Sequence, residues 1–123
     1  SVACPLLVPL AEEGWFDDAI TVAVASRYLA ALPEQVRTVV LGCTHYPTLR
    51  PSLERVRPGT TWIDSGEVAA EAVERLLRGP LGFRTESARG PLRILLTDLS
   101  SRLKEVGARF LEEPLDLVEP VDL

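Results

Sequence analysis

Short β-branched runs alternate with helical patterns along this chain, and that alternation narrows its folds more than any other feature. Residues 36–41 (Val-Arg-Thr-Val-Val-Leu) end in Gly42, and residues 60–63 (Thr-Thr-Trp-Ile) end in Asp64. A helix is expected behind each run. The first spans 48–56, with Pro51 in its first turn, where a missing N–H costs little. The second spans 65–78, capped by Asp64 or Ser65 and stopped at Gly79-Pro80. Its Val68, Ala69, Ala72, Val73, Leu76 and Leu77 form a core-facing stripe, and Glu71/Arg75 and Glu74/Arg78 are i,i+4 pairs on the wet face. A surface loop over 81–90, a strand over 92–96, a helix over 100–111 and a last strand over 115–121 complete the pattern. Leu103, Val106, Phe110 and Leu111 face inward from that helix. Strands alternating with helices predict an α/β fold with mainly parallel sheets flanked by helices.

Upstream, the apolar run from Val2 to Leu10 carries Pro5 and Pro9, which cannot donate to a ladder. It reads as an extended, buried connection. Asp17 and Asp18 open a helix over 17–32, ended by Pro33. Its two apolar stripes, one through Ile20, Val24, Tyr28 and Leu32 and one through Val22, Ala25 and Leu29, predict burial on more than one side.

Composition removes several classes of function. At 123 residues the chain is one domain's worth, and 46% apolar with 25% charged residues is a globular balance. The formal charge is −5 with the signs interspersed, so no basic surface is offered to nucleic acid or an anionic membrane. The two cysteines, Cys4 and Cys43, make no disulfide framework and suit a reducing compartment. The longest apolar stretch, residues 3–11, is too short to span a bilayer, and no basic segment precedes it as in a signal peptide. A soluble, cytoplasmic protein is expected. The chain contains no methionine, so it has lost its initiator or is the tail of something longer.

Ligands of open α/β sheets sit outside the carboxyl ends of the strands. Two such ends are polar here: Gly42-Cys43-Thr44-His45-Tyr46-Pro47 and Asp64-Ser65-Gly66, with Glu12-Glu13 a third candidate. A cysteine beside a helix N-terminus and an imidazole is placed for thiolate chemistry, whereas a lone cysteine elsewhere is a small buried hydrophobe. Cys43 meets the first description and Cys4, flanked by proline, the second. His45, the only histidine, is a proton donor or acceptor near neutral pH if it is not merely structural. One Cys and one His fall short of a structural zinc site. Asp64 and Ser65 are most simply a helix cap, and Glu12-Glu13 could be a solvated loop. The fingerprints of dinucleotide-binding, P-loop and α/β-hydrolase sites are missing. A Cys-His protease or acyltransferase would need an orienting Asn or Asp, and the chain has no Asn.

At these residues the sequence resembles the glutamate racemases of the cofactor-independent aspartate/glutamate racemase superfamily. Leu41-Gly42-Cys43-Thr44-His45-Tyr46-Pro47 resembles the second catalytic-cysteine motif of that family. Residues 3–10 with Glu12-Glu13-Gly14 match the segment upstream of it, and Ile63-Asp64-Ser65-Gly66, residues 95–98 and Phe110-Leu111 match the part downstream. The resemblance covers essentially the whole chain but only the carboxy-terminal half of the family's two-domain fold. It implies that residues 1–63 are the later part of the second α/β domain, and that residues 64–123 complete the first.

The resemblance further implies a two-thiol proton transfer interconverting L- and D-glutamate, which bacteria use for peptidoglycan. Cys43 would be one of the two acid/base cysteines, assisted by His45. Thr44 would hold the substrate, and Glu12 would be an acid beside the site. No cofactor and no metal are implied. The partners are glutamate and the missing amino-terminal half, which would carry the other cysteine, with room for a homodimer of the full-length polypeptide. The isolated chain is expected to be inactive. Two alternatives stand beside this one: an inactive or partner-dependent remnant, and a related aspartate or hydantoin racemase, against which His45 argues.

Overall fold

A computed structural model describes residues 1–79, 82, 92–98, 103–111, 113–115 and 117–122. By its internal contacts the chain divides into Ser1–Phe83 and Arg84–Leu123. Both units are α/β, and the sheet in each is a parallel pair of strands.

The first unit opens with a helix. Residues 7–12 form helix α1 (Leu7–Glu12), where the prolines predict an extended connection. Proline breaks a helix only where its absent N–H is needed. Pro9 is the third residue of α1, within the turn whose N–H groups have no partner inside the helix, and Pro5 precedes it. The Pro9 carbonyl accepts from Glu13 N at 2.9 Å, and Gly14, at φ +80°, ends the helix in the left-handed region that glycine enters freely. Leu7 and Ala11, one turn apart, are buried.

Asp18 caps α2 (Ala19–Leu29), its side chain accepting from Ile20 N at 2.7 Å. This helix buries a single stripe, Thr21, Ala25 and Leu29, while Ile20 is exposed. Beside that stripe, Val24, Tyr28 and Leu32 are partly buried against the core, so of the other expected stripe Ile20 is the residue left exposed. Thr21 lies within the buried stripe because its hydroxyl donates to the Trp15 carbonyl at 2.7 Å.

Strand β1 (Thr38–Leu41) turns Leu41 into the core and leads through Gly42–His45 into a 3₁₀ turn (Tyr46–Leu49) and α3 (Arg50–Val56). Leu49, Ser52 and Leu53 are buried there, and Ser52 donates to the Phe16 carbonyl at 2.8 Å. Strand β2 (Thr61–Asp64) pairs parallel to β1 in the register Thr38↔Thr61 to Leu41↔Asp64, so both strands end at one level. Cys4, Leu7, Ala11, Ala25, Leu29, Leu41, Leu49, Leu53 and Trp62 form the core. Arg57, just past α3, gathers the segment that feeds β1. Its guanidinium donates to the carbonyls of Leu32 (3.3 Å), Pro33 (3.0 Å), Glu34 (3.4 Å) and Val36 (3.2 Å).

Helix α4 (Ser65–Arg78) starts directly from β2, and Asp64 is its cap, accepting from Gly66 N at 2.7 Å. The Glu74–Arg78 pair forms, with Arg78 Nε 2.8 Å from the carboxylate. The apolar stripe expected to face the core does not: no residue of α4 is buried, and Val68, Val73 and Leu76 are each at least half exposed. A period of 3.6 tells which residues share a face, not whether anything covers that face.

In the second unit β3 (Arg93–Leu96) pairs parallel to β4 (Leu117–Pro120), with Arg93 bonded to Glu119 at 2.7 Å. Helix α5 (Leu103–Leu111) lies between them in sequence. Gly107 lets the Leu115 side chain approach closely, since a Cβ there would meet its Cδ1 at 2.6 Å. Phe110 and Leu111, expected inward, are exposed, since the described residues around them leave that end of the helix uncovered. The loop over 81–90, apart from Gly82, and the start of the helix at residue 100 lie outside the described residues. Among the described residues no helix is long and apolar enough to cross a membrane.

Candidate functional site

A parallel strand pair delivers whatever follows its strands to one edge. At that edge the chain leaves β1 at Leu41, and Gly42 precedes a tight turn in which Tyr46 N donates to the Cys43 carbonyl at 3.1 Å. The Thr48 hydroxyl closes the turn on the His45 carbonyl at 2.7 Å. Cys43 and His45 are thereby half-buried, while Thr44 is exposed.

Three polar side chains converge on the His45 ring. Cys43 Sγ lies 3.9 Å from Nδ1, and Thr44 Oγ1 lies 3.5 Å from the same nitrogen. On the other edge of the ring, Nε2 is 3.4 Å from Glu12 Oε1, at the last residue of α1. The imidazole is 27% exposed and the carboxylate 59%. With the ring proton on Nε2, donated to Glu12, Nδ1 is left as the acceptor facing the thiol and the hydroxyl. A carboxylate that orients an imidazole against a nucleophilic or acid/base group is a recurrent proton-transfer arrangement. The order here is Glu12, His45, Cys43. Glu12 therefore ends a helix and meets the histidine, where a solvated loop is the simpler sequence reading.

Cys4 is unlike Cys43. It is 6% exposed, and burial raises its thiol pKa above the usual 9.0. Its carbonyl accepts from the Tyr46 hydroxyl at 3.2 Å, a tie between the start of the chain and the Cys43 turn that sequence reasoning does not foresee. Burial, and next the nearby Cys4 and Cys43, raise the Tyr46 phenol above its usual 10.0. Asp64, level with Leu41 on the neighbouring strand, is engaged as the cap of α4, as the simpler sequence reading has it. Among the described residues no cluster of three or more His, Cys, Asp or Glu is arranged to hold a metal ion.

Comparison with known proteins gives a consistent picture. No protein-family model matches the chain. The glutamate racemase of Syntrophus aciditrophicus is 42% identical over 125 residues, covering 100% of this chain and 46% of that protein. The Thermus thermophilus glutamate racemase is 38% identical over 121 residues, 98% of this chain and 46% of the other. A crystal structure of the Thermus thermophilus enzyme with β-chloro-D-alanine superposes with a TM-score of 0.87, covering 99% of this chain and 47% of that one. The Francisella tularensis glutamate racemase, in complex with D-glutamate, gives 0.84 at 28% identity, covering 97% of this chain and 45% of that one. The chain thus resembles glutamate racemases along its whole length while spanning just under half of theirs.

Proposed function

We propose that this chain is the carboxy-terminal part of a cytoplasmic glutamate racemase serving peptidoglycan synthesis, and that Cys43 is one of its two acid/base thiols. The observation that carries the reading is the Glu12–His45–Cys43 series at the carboxyl end of β1, taken with the whole-chain likeness to glutamate racemases.

Racemising an α-carbon without a cofactor needs a base on one face and an acid on the other. As thiolate, Cys43 takes the α-proton of one enantiomer; its sulfur gains the proton, and the C–H electron pair stays on carbon, delocalised into the carboxylate. A thiol on the opposite face returns a proton to that carbon and is left as thiolate. The reverse reaction exchanges the roles. His45 assists by accepting or returning the Cys43 proton at Nδ1, Glu12 orients the ring through Nε2, and Thr44, exposed beside the sulfur, contacts the substrate's polar groups.

The second thiol belongs to an amino-terminal half that pairs with this chain. In that assembly residues 1–63 form the later part of one α/β domain, and residues 64–123 complete the other. The unburied apolar face of α4 supports this, because it sits just after the proposed boundary and needs a covering. The 123-residue chain alone does not racemise glutamate, since one face of the substrate meets no thiol.

The deciding experiment follows glutamate racemisation by circular dichroism, in the chain alone and joined to its natural upstream sequence. Turnover is expected in the joined polypeptide only. Turnover by the chain alone overturns the two-half reading, and none in either overturns the racemase.

A further inference from the structure

Helix α1 is held at both of its ends by adjacent residues of the Cys43 turn. At its carboxyl end, Glu12 meets His45 Nε2 at 3.4 Å. At its amino end, the turn from which it springs offers the Cys4 carbonyl to the Tyr46 hydroxyl at 3.2 Å. That same turn is gripped from α2, where the Tyr28 hydroxyl accepts from Leu6 N at 3.3 Å. Tyr28 and Tyr46 are the only two tyrosines of the chain, and both hydroxyls fall on residues 4–6.

The pattern is more than packing. Both rings are partly buried against the core, which phenylalanine would satisfy equally. The hydroxyls add direction, fixing the backbone of residues 4–6 along the chain axis, where apolar contact lets it slide. Helix α1 is short and stiff, so a shift at Cys4–Leu6 is carried through Leu7–Glu12 to the carboxylate. The Glu12 carboxylate is 59% exposed, so its own surroundings do little to fix it, and its contact with the ring follows the placement of α1. A displacement of about 1 Å at such a contact matters, because proton relays depend steeply on geometry.

We propose that Tyr46, seconded by Tyr28, is a positioning residue whose hydroxyl sets the Glu12 carboxylate against His45 by anchoring the Cys4–Leu6 turn. This rests on the reading of Glu12–His45–Cys43 as a proton-transfer series and adds to it the device that keeps the first two members in contact.

The test compares Tyr46→Phe, Tyr28→Phe and Glu12→Gln, singly and combined, in the polypeptide that joins the chain to its upstream sequence. One readout is racemisation; the other is the ring ¹⁵N resonances of His45, assigned by their loss in His45→Asn. Tyr46→Phe is expected to lower kcat about threefold to tenfold with KM within about twofold. It should also move the His45 resonances in the direction that Glu12→Gln moves them, and cost nothing further when combined with Glu12→Gln. Tyr28→Phe should act in the same direction and more weakly, and it stands in should Tyr46→Phe not fold. Losses that add to that of Glu12→Gln, or His45 resonances that stay in place, overturn the positioning role and leave the tyrosines as packing. If the wild-type polypeptide does not racemise, the racemase reading falls, while the resonances still decide whether the clasp exists.

Discussion

Cys43 Sγ and His45 Nδ1 stand 3.9 Å apart on a turn that begins where β1 ends, with Glu12 on the far edge of the same ring. Cys4, the other thiol, is enclosed by the core, and burial raises its pKa. Iodoacetamide reacts with exposed thiolate. Brief alkylation near neutral pH should therefore label Cys43 at least about tenfold faster than Cys4. Peptide mass spectrometry reads the ratio, and faster labelling of Cys4 would contradict the assignment.

In the joined polypeptide, Cys43→Ser should abolish racemisation in both directions, because in the proposed mechanism each direction uses a thiol on each face. Slow exchange of the α-proton of one enantiomer should survive through the opposite thiol, visible as deuterium wash-in by NMR. His45→Asn should be milder and unequal between the two directions. A Cys43→Ser protein that turns over at the wild-type rate would end the two-thiol account.

Stability should decline in alkali, and the sign follows from the burial of Cys4 and Tyr46. Both groups hold their protons more tightly when folded than at their usual 9.0 and 10.0. The stability they contribute is complete below those values and is lost as pH rises through the folded-state ones. Denaturant midpoints taken between about pH 8 and pH 11 should fall for the wild type and fall less steeply for Cys4→Ala. A flat wild-type profile would show that neither group is buried as described.

Ser52→Ala should cost about 1–3 kcal/mol, because it removes the hydroxyl that donates to the Phe16 carbonyl from a site where Ser52 has no exposure. Leu49→Ala, also fully buried, should cost about 2–5 kcal/mol through the cavity it leaves. Urea titration separates these from Ile20→Ala, whose exposed side chain should cost under about 1 kcal/mol. An equal cost at all three positions would mean that the core lies elsewhere.

Leu76→Gln tests the open face of α4. Half of this side chain is exposed, at 51%, so its loss should cost the 123-residue chain under about 0.5 kcal/mol. Covered by an amino-terminal half, the same change should cost about 1.5–3 kcal/mol. Thermal melts of both forms decide it. The same small cost in the joined polypeptide would mean that nothing covers this face.

The strand-to-turn passage at residues 38–46 is legible in the sequence because β-branched residues, a glycine and a proline each act locally, and the helix cap at Asp64 is legible for the same reason. The arrival of Glu12 at His45 is not legible from the residues themselves, where the family resemblance alone puts Glu12 beside the site, since it depends on α1 folding over the Cys43 turn. That helix is hidden by Pro5 and Pro9, which count against a helix by composition and are harmless by position. The apolar stripe of α4 reads correctly as a stripe, but sequence periodicity carries no information on what lies opposite. The two tyrosine hydroxyls escape notice because their acceptor and donor are backbone atoms, which leave no mark on residue identity.

Arg57 holds β1 from its other end. Four carbonyls of residues 32–36 converge on one guanidinium, whose planar fork presents its N–H donors in fixed directions. The entrance to the strand is thus moored by a single hub, while its exit bears the residues proposed to trade protons. Lysine, a single compact charge on a flexible stem, could not replace it.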